Sequence, residues 1–214
     1  MDPTRRGRGR TPGSGSGAPR RWRWPVCPTR PAYDIQVLDY LYLIVTGAGT
    51  ARECPALAGR LMLLAEHLTV VLTPNAERIV APREFTLAFG DRPGCRLVES
   101  YFDVAILPRP PHGAVLVAPC SFASLNKLAA GIADNLALSI VSEAIGRRTP
   151  VAVAVSVNQS LWDHPITAES VARLRGWGVR VHEPRALDDR LTMASPDFLV
   201  DEARSILLGA HGGP

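Results

Sequence analysis

Four short stretches hold the side chains able to do chemistry, and each stands where an apolar run gives way to small or polar residues. Gly47-Ala48-Gly49-Thr50 closes one β-rich run, and Thr73-Pro74-Asn75 closes a second. Pro119-Cys120-Ser121-Phe122-Ala123-Ser124 ends a third, and Asn158-Gln159-Ser160-Leu161-Trp162 leaves a fourth. Glycines and a threonine between a strand and a helix present backbone N–H groups and a hydroxyl, the arrangement that cradles a phosphate. The full dinucleotide fingerprint is absent, because its third glycine falls at Arg52. Thr73 offers another hydroxyl, which serves equally well as a helix cap. The small residues around Ser121 let a flat ligand lie on the backbone beside the unpaired donors of a helix start. Close helix–sheet packing accounts for the same composition. Asn158 and Trp162 place an amide near an aromatic wall, or a plain strand exit near a packed indole.

Those loops need strands that end at one edge. Residues 41–46, 68–73, 95–100, 113–118, 151–157 and 179–182 read as strands, several of them apolar throughout. Helices are expected from the glycine loop to about His67, with Pro55 in the first turn, and over 75–81. Further helices follow: one long stretch from Ser121 to Arg147, then 168–177 and an amphipathic 196–208. Residues 101–112 read as a proline-rich loop. Apolar strands alternating with helices indicate an α/β, three-layer, Rossmann-like doubly wound parallel sheet. Ligands in such sheets bind outside the carboxyl ends of the strands, where all four stretches lie.

Composition narrows the classes. Of 214 residues, the first 33 carry eight Arg and one acid, a net of +7, so the formal charge of +4 comes from that leader and the remainder is net −3. A mildly acidic remainder argues against a nucleic-acid-binding core. The leader is rich in Gly, Pro, Ser and Arg and lacks the apolar content to fold, leaving residues 34–214 as one domain. Trp22 and Trp24 stand among its arginines. Cys27, Cys54, Cys95 and Cys120 show no metal-ligand spacing, and no apolar run is long enough to span a membrane. Reduced thiols in a cytoplasmic protein are expected.

Taken together, the loops resemble the homo-oligomeric flavin-containing cysteine decarboxylases, over roughly residues 40–183. Pro119 to Ser124 lies at the family's Pro-Ala-Ser-Ala-Asn-Thr element, followed by Asn126-Lys127 and Gly131-Ile132-Ala133-Asp134-Asn135-Leu136. Val155-Ser156-Val157-Asn158-Gln159-Ser160-Leu161-Trp162 lies at its Pro-x-Met-Asn-x-x-Met-Trp element, with Asn158 and Trp162 matching. The resemblance implies a flavodoxin-like HFCD flavoprotein fold and FMN as cofactor. It places the phosphate at Gly47, Gly49, Thr50 and Thr73, and the ring against Pro119, Cys120, Ser121, Phe122 and Ser124. Asn158 would hold a substrate carboxylate, and Trp162 would shape that pocket.

The same resemblance implies oxidative decarboxylation of the C-terminal cysteine of a precursor peptide, in modified-peptide biosynthesis, by a trimer or dodecamer. Two positions depart from it. Ala123 replaces the family's Asn, and Ala105 stands where its catalytic His is expected, with His112 seven residues off that register. Pro119-Cys120-Ser121 also resembles flavin prenyltransferases, although Leu125-Asn126-Lys127 favours the decarboxylases. A flavin-binding partner subunit without the His is a third reading.

Overall fold

The computed structural model describes residues 38–103 and 113–209. The chain divides into two units, Met1–Asp34 and Ile35–Pro214, and every element below belongs to the second. The Arg-rich leader, Ala105 and His112 lie outside the described residues.

Six parallel strands form the sheet, in the order β3-β2-β1-β4-β5-β6. They are β1 (Leu38–Val45), β2 (Ala65–Leu72), β3 (Cys95–Leu97), β4 (Gly113–Cys120), β5 (Val151–Val155) and β6 (Arg180–His182). The helices are α1 (Cys54–Leu61), α2 (Pro74–Glu77), α3 (Pro82–Phe89), α4 (Phe122–Ala129), α5 (Leu136–Gly146), α6 (Gln159–Trp162), α7 (Pro165–Gly176) and α8 (Pro196–Gly209). A hairpin, β7 (Arg185–Leu187) with β8 (Arg190–Thr192), stands apart from the sheet.

The strands are apolar on both faces because each face has its own core. Leu41, Leu43 and Val45 of β1 join α1, α3 and α8 on one side, while Tyr42 and Ile44 join α4, α5 and α7 on the other. Small residues Ala114, Ala118, Ala152 and Ala154 face the first layer, and Val115, Val117, Val151 and Val153 face the second. Full burial of each Leu, Ile or Val contributes about 1.5–3 kcal/mol against exposure.

Several boundaries differ from the sequence expectation. The first helix ends at Leu61 rather than near His67, and β2 begins at Ala65. His67 pairs across to Tyr40, with the two rings stacked 4.5 Å apart. Leu63, part of the apparent helical periodicity, is exposed. The long stretch to Arg147 is two helices. Gly131 turns the chain at φ +71°, and Asn135 Oδ1 accepts the Leu138 N–H at 3.1 Å to cap α5. The α3 helix and the hairpin go beyond the expected elements, and α7 starts at Pro165, three residues early.

Strand order reverses direction between β1 and β4, so their connections leave to opposite faces and a crevice opens at their carboxyl ends. Thr46 holds that crevice together. It is fully buried; its N–H and its hydroxyl donate to the Pro119 carbonyl at 3.2 and 2.9 Å. The Thr46 hydroxyl oxygen in turn accepts the Ser121 N–H at 2.8 Å. The Ala118–Pro119 peptide is cis, and the β4–β5 register shifts between Val117 and Cys120. Among the described residues, no helix is long and apolar enough to cross a membrane.

Thr46→Val keeps the shape of the side chain but removes both hydroxyl bonds. Leaving the Ser121 N–H without its partner costs about 1–3 kcal/mol. A thermal melt of the variant should fall by several degrees, with Thr46→Ser falling less; an unchanged melt would show that the hydroxyl holds nothing.

Candidate functional site

A cleft of about 720 Å³ opens over the crevice, at the carboxyl edge of the sheet. A smaller pocket of about 250 Å³ adjoins it, sharing Gly47, Asn75, Ser121 and Ala123. Four loops and the hairpin form the walls, and hydrogen bonds hold each loop.

The loop after β1 runs from Gly47 into a 3-10 turn, Gly49–Glu53. Gly47 is required by packing: a Cβ there would lie 2.6 Å from Asn75 Cβ. Gly49 is different, since a Cβ would meet nothing within 4 Å, and its backbone borders the cleft. Thr50 Oγ1 pairs with Ser156 Oγ at 2.8 Å. The loop after β2 is capped by Thr73, whose hydroxyl accepts the Ala76 N–H at 3.3 Å.

The loop after β4 turns at Ser121, which caps α4 by accepting the Ser124 N–H at 3.4 Å and donates to Ser124 Oγ at 3.1 Å. Farther along, Asn126 Oδ1 accepts the Ser170 hydroxyl at 2.7 Å, fastening α4 to α7. Lys127 bonds Asp134 at 2.5 Å, and that hydrogen bond holds the exposed Asp134 carboxyl below its ordinary range.

The loop after β5 brings Asn158. Its Oδ1 accepts the Leu161 N–H at 3.0 Å, capping α6 and turning the carboxamide so that Nδ2 is the remaining donor. His164 caps α7 through Nδ1, which accepts the Ile166 N–H at 3.2 Å. It meets the cleft residue Phe122 edge-on, with ring centres 5.4 Å apart.

Of the residues singled out in the sequence, Gly47, Gly49, Thr50, Ser121, Phe122 and Asn158 line the main cleft. Thr73 and Ser124 line the adjoining pocket. Three others lie back from the opening. Pro119 is buried, with its carbonyl occupied by Thr46. Cys120 points into the second core, where burial pushes its thiol up to about 12. Trp162 packs against that same core, and Leu161 takes the lining position instead. Cys54, also buried, has its thiol raised and donates to the Ala118 carbonyl at 3.3 Å.

Asn75, within the loop singled out after the second strand, also lines the cleft, whereas sequence reasoning missed Ser156, Glu53 and the hairpin residues Arg190, Leu191 and Thr192. A hydroxyl between Val155 and Val157, just past the end of β5, was the available signal for Ser156. The Asp188-Asp189 turn, with Asp188 at φ +52°, was the signal for the hairpin.

The lining suits a flat, phosphorylated ligand. Its volume falls in the range of small-molecule sites, about 300–1,000 Å³. Open backbone at Gly49, hydroxyls at Thr50 and Ser121, and the ring of Phe122 supply the polar and flat contacts that a flavin nucleotide needs.

Comparison with known proteins agrees. A family model described as Flavoprotein matches residues 34–207. Phosphopantothenoylcysteine decarboxylase of Mus musculus is 31% identical over 159 residues, covering 72% of this chain and 78% of the relative. The coenzyme A biosynthesis bifunctional protein CoaBC of Thermococcus kodakarensis is 28% identical over 162 residues, covering 75% of this chain; the match spans only 40% of that longer protein. Among solved structures, the FMN-dependent cysteine decarboxylase TvaF from thioviridamide biosynthesis superposes with a TM-score of 0.60 at 25% identity, covering 83% of this chain and 99% of that one. The peptidyl-cysteine decarboxylase EpiD shares the fold, with a TM-score of 0.63 at 17% identity over 80% of this chain and 99% of its own. The chain belongs to the Flavoprotein family.

The two loop glycines separate packing from ligand contact. Gly47→Ala should lower stability by about 1–3 kcal/mol through overpacking against Asn75. Gly49→Ala should change stability by no more than about 0.5 kcal/mol, yet weaken flavin binding by placing a methyl in the cleft. Thermal melts and flavin titrations check both; equal flavin affinity for Gly49→Ala and wild type would move the ligand away from this backbone.

Proposed function

We propose that this chain binds FMN in the cleft between β1 and β4 and oxidatively decarboxylates the C-terminal cysteine of a peptide, releasing an enethiol. The observation that carries the reading is the fixed amide of Asn158. Its oxygen is committed to the α6 cap, so the group it offers the cleft is a neutral N–H donor. A carboxylate held by a neutral donor departs as CO₂ without breaking an ion pair, whereas a direct arginine clamp would oppose departure.

FMN, when bound, would supply the two-electron oxidation that puts a thiocarbonyl β to the carboxylate. The residues of the chain do the rest. Asn158 Nδ2 orients the carboxylate, and the apolar side chains of Phe122, Val157, Leu161 and Leu191 keep water from the reacting end. Ser121 and Thr50 offer hydroxyls to the cofactor side. In balance, the cysteine loses CO₂ and two hydrogens, and the pair of electrons from the broken C–C bond becomes the enethiol double bond.

Charge in the cleft bears on the substrate. One cation, Arg190, and one carboxylate, Glu53, line it among the described residues. A nearly neutral lining suits a peptide end better than a second phosphate ester. Phosphopantothenoylcysteine is nonetheless the alternative substrate that the curated relatives support. Assembly as a homo-oligomer belongs to the same proposal, supported by exposed apolar side chains at Phe102, Ile132 and Ile166.

Incubated with FMN and a peptide ending in Cys, the protein should remove about 46 Da, CO₂ plus two hydrogens. Loss of about 44 Da from phosphopantothenoylcysteine, with peptides untouched, would transfer the chain to the alternative. Asn158→Asp sets like charges against each other and should lower kcat/KM by at least about 10²-fold; retained turnover would remove Asn158 from the site.

A further inference from the structure

β1 and β5 are not neighbours in the sheet, because β4 lies between them. At the carboxyl edge β4 is tied to each side separately. Thr46 joins the end of β1 to Pro119 and Ser121, and the Ser156 N–H donates to the Cys120 carbonyl at 2.9 Å. The pair Thr50 Oγ1 and Ser156 Oγ, 2.8 Å apart, closes the third side across 106 residues of sequence. Both hydroxyls line the cleft, and Ser156 is itself nearly buried.

Neither loop needs this bond for its own shape. The turn at Thr50 is closed by the Ala51 N–H on the Ala48 carbonyl at 2.9 Å, and Asn158 is held by its cap at 3.0 Å. What the hydroxyl pair adds is a direct connection from the cofactor-side loop to the strand exit, two residues before Asn158. Two paired hydroxyls also share one proton and keep the other to donate, so the pair can turn toward a ligand without breaking.

We infer that the Thr50–Ser156 pair is a positioning latch that couples FMN binding to the placement of the Asn158 amide, so that cofactor and peptide bind cooperatively. The inference rests on the FMN and peptide reading above. Ser156 acts through Asn158: a ligand that orders the loop at Thr50 also orders the exit of β5, and the second ligand then finds its donor already placed.

The test measures FMN affinity by quenching of flavin fluorescence, with and without a saturating peptide ending in Ser instead of Cys, which cannot turn over. For the wild-type chain, the peptide should tighten FMN binding by about 5-fold or more. Ser156→Ala and Thr50→Val should each reduce that effect to less than about 2-fold, and the double variant should be no lower than either single one. Ser156→Thr, which keeps the hydroxyl, should restore it. Tight FMN binding with no peptide effect, or a full effect in both single variants, overturns the latch while leaving the flavin reading intact. No FMN binding by the wild-type chain overturns both.

Discussion

A single buried hydroxyl, that of Thr46, sets the geometry on which the rest of the site depends. At the reversal of strand order the ladder between β1 and β4 must end, and both connections leave in opposite directions. Without a substitute for the lost ladder, the two strand ends would splay and the β4–α4 turn would drift. Thr46 provides that substitute by donating to Pro119 and accepting from Ser121 at once. The start of α4 is thereby held at the floor of the crevice.

Everything ligand-facing is arranged around that fixed turn. Gly47 permits the loops after β1 and β2 to touch, because a side chain there would collide with Asn75. Asn158 and Ser121 each accept a backbone N–H at a helix cap, which ties both side chains to their helix starts. The thiols of Cys54 and Cys120 are turned into the two cores, where burial raises their pKa values and suppresses their reactivity. The cleft therefore offers hydroxyls, two amides, backbone, Glu53 and Arg190, and neither thiol. Such a surface binds and orients, and leaves redox chemistry to a bound group.

Much of this was legible in the sequence. Runs apolar on every position could only be strands covered twice, and they located the edge where the loops converge. Glycine and hydroxyl residues after β1, and Asn158 after β5, were found because they interrupt those runs. What stayed hidden depends on contacts that no local pattern encodes. Trp162 looked like a cleft residue by motif, but both it and Leu161 pack on the second core, and of the two Leu161 lines the cleft. Cys120 follows the β4–β5 register shift, which sets it in the second core rather than with Ala114, Leu116 and Ala118 in the first. Thr46 read as an ordinary strand end, since its partners lie 73 and 75 residues away. The hairpin was concealed by three-residue strands, too short to show alternation.

The flavin is proposed to lie in the crevice between β1 and β4. The most direct test is an absorption spectrum of the purified full chain, with any chromophore released by heat and identified by mass. FMN should be present in roughly equimolar amount, or be taken up stoichiometrically when added. A colourless protein that takes up no added FMN would contradict it.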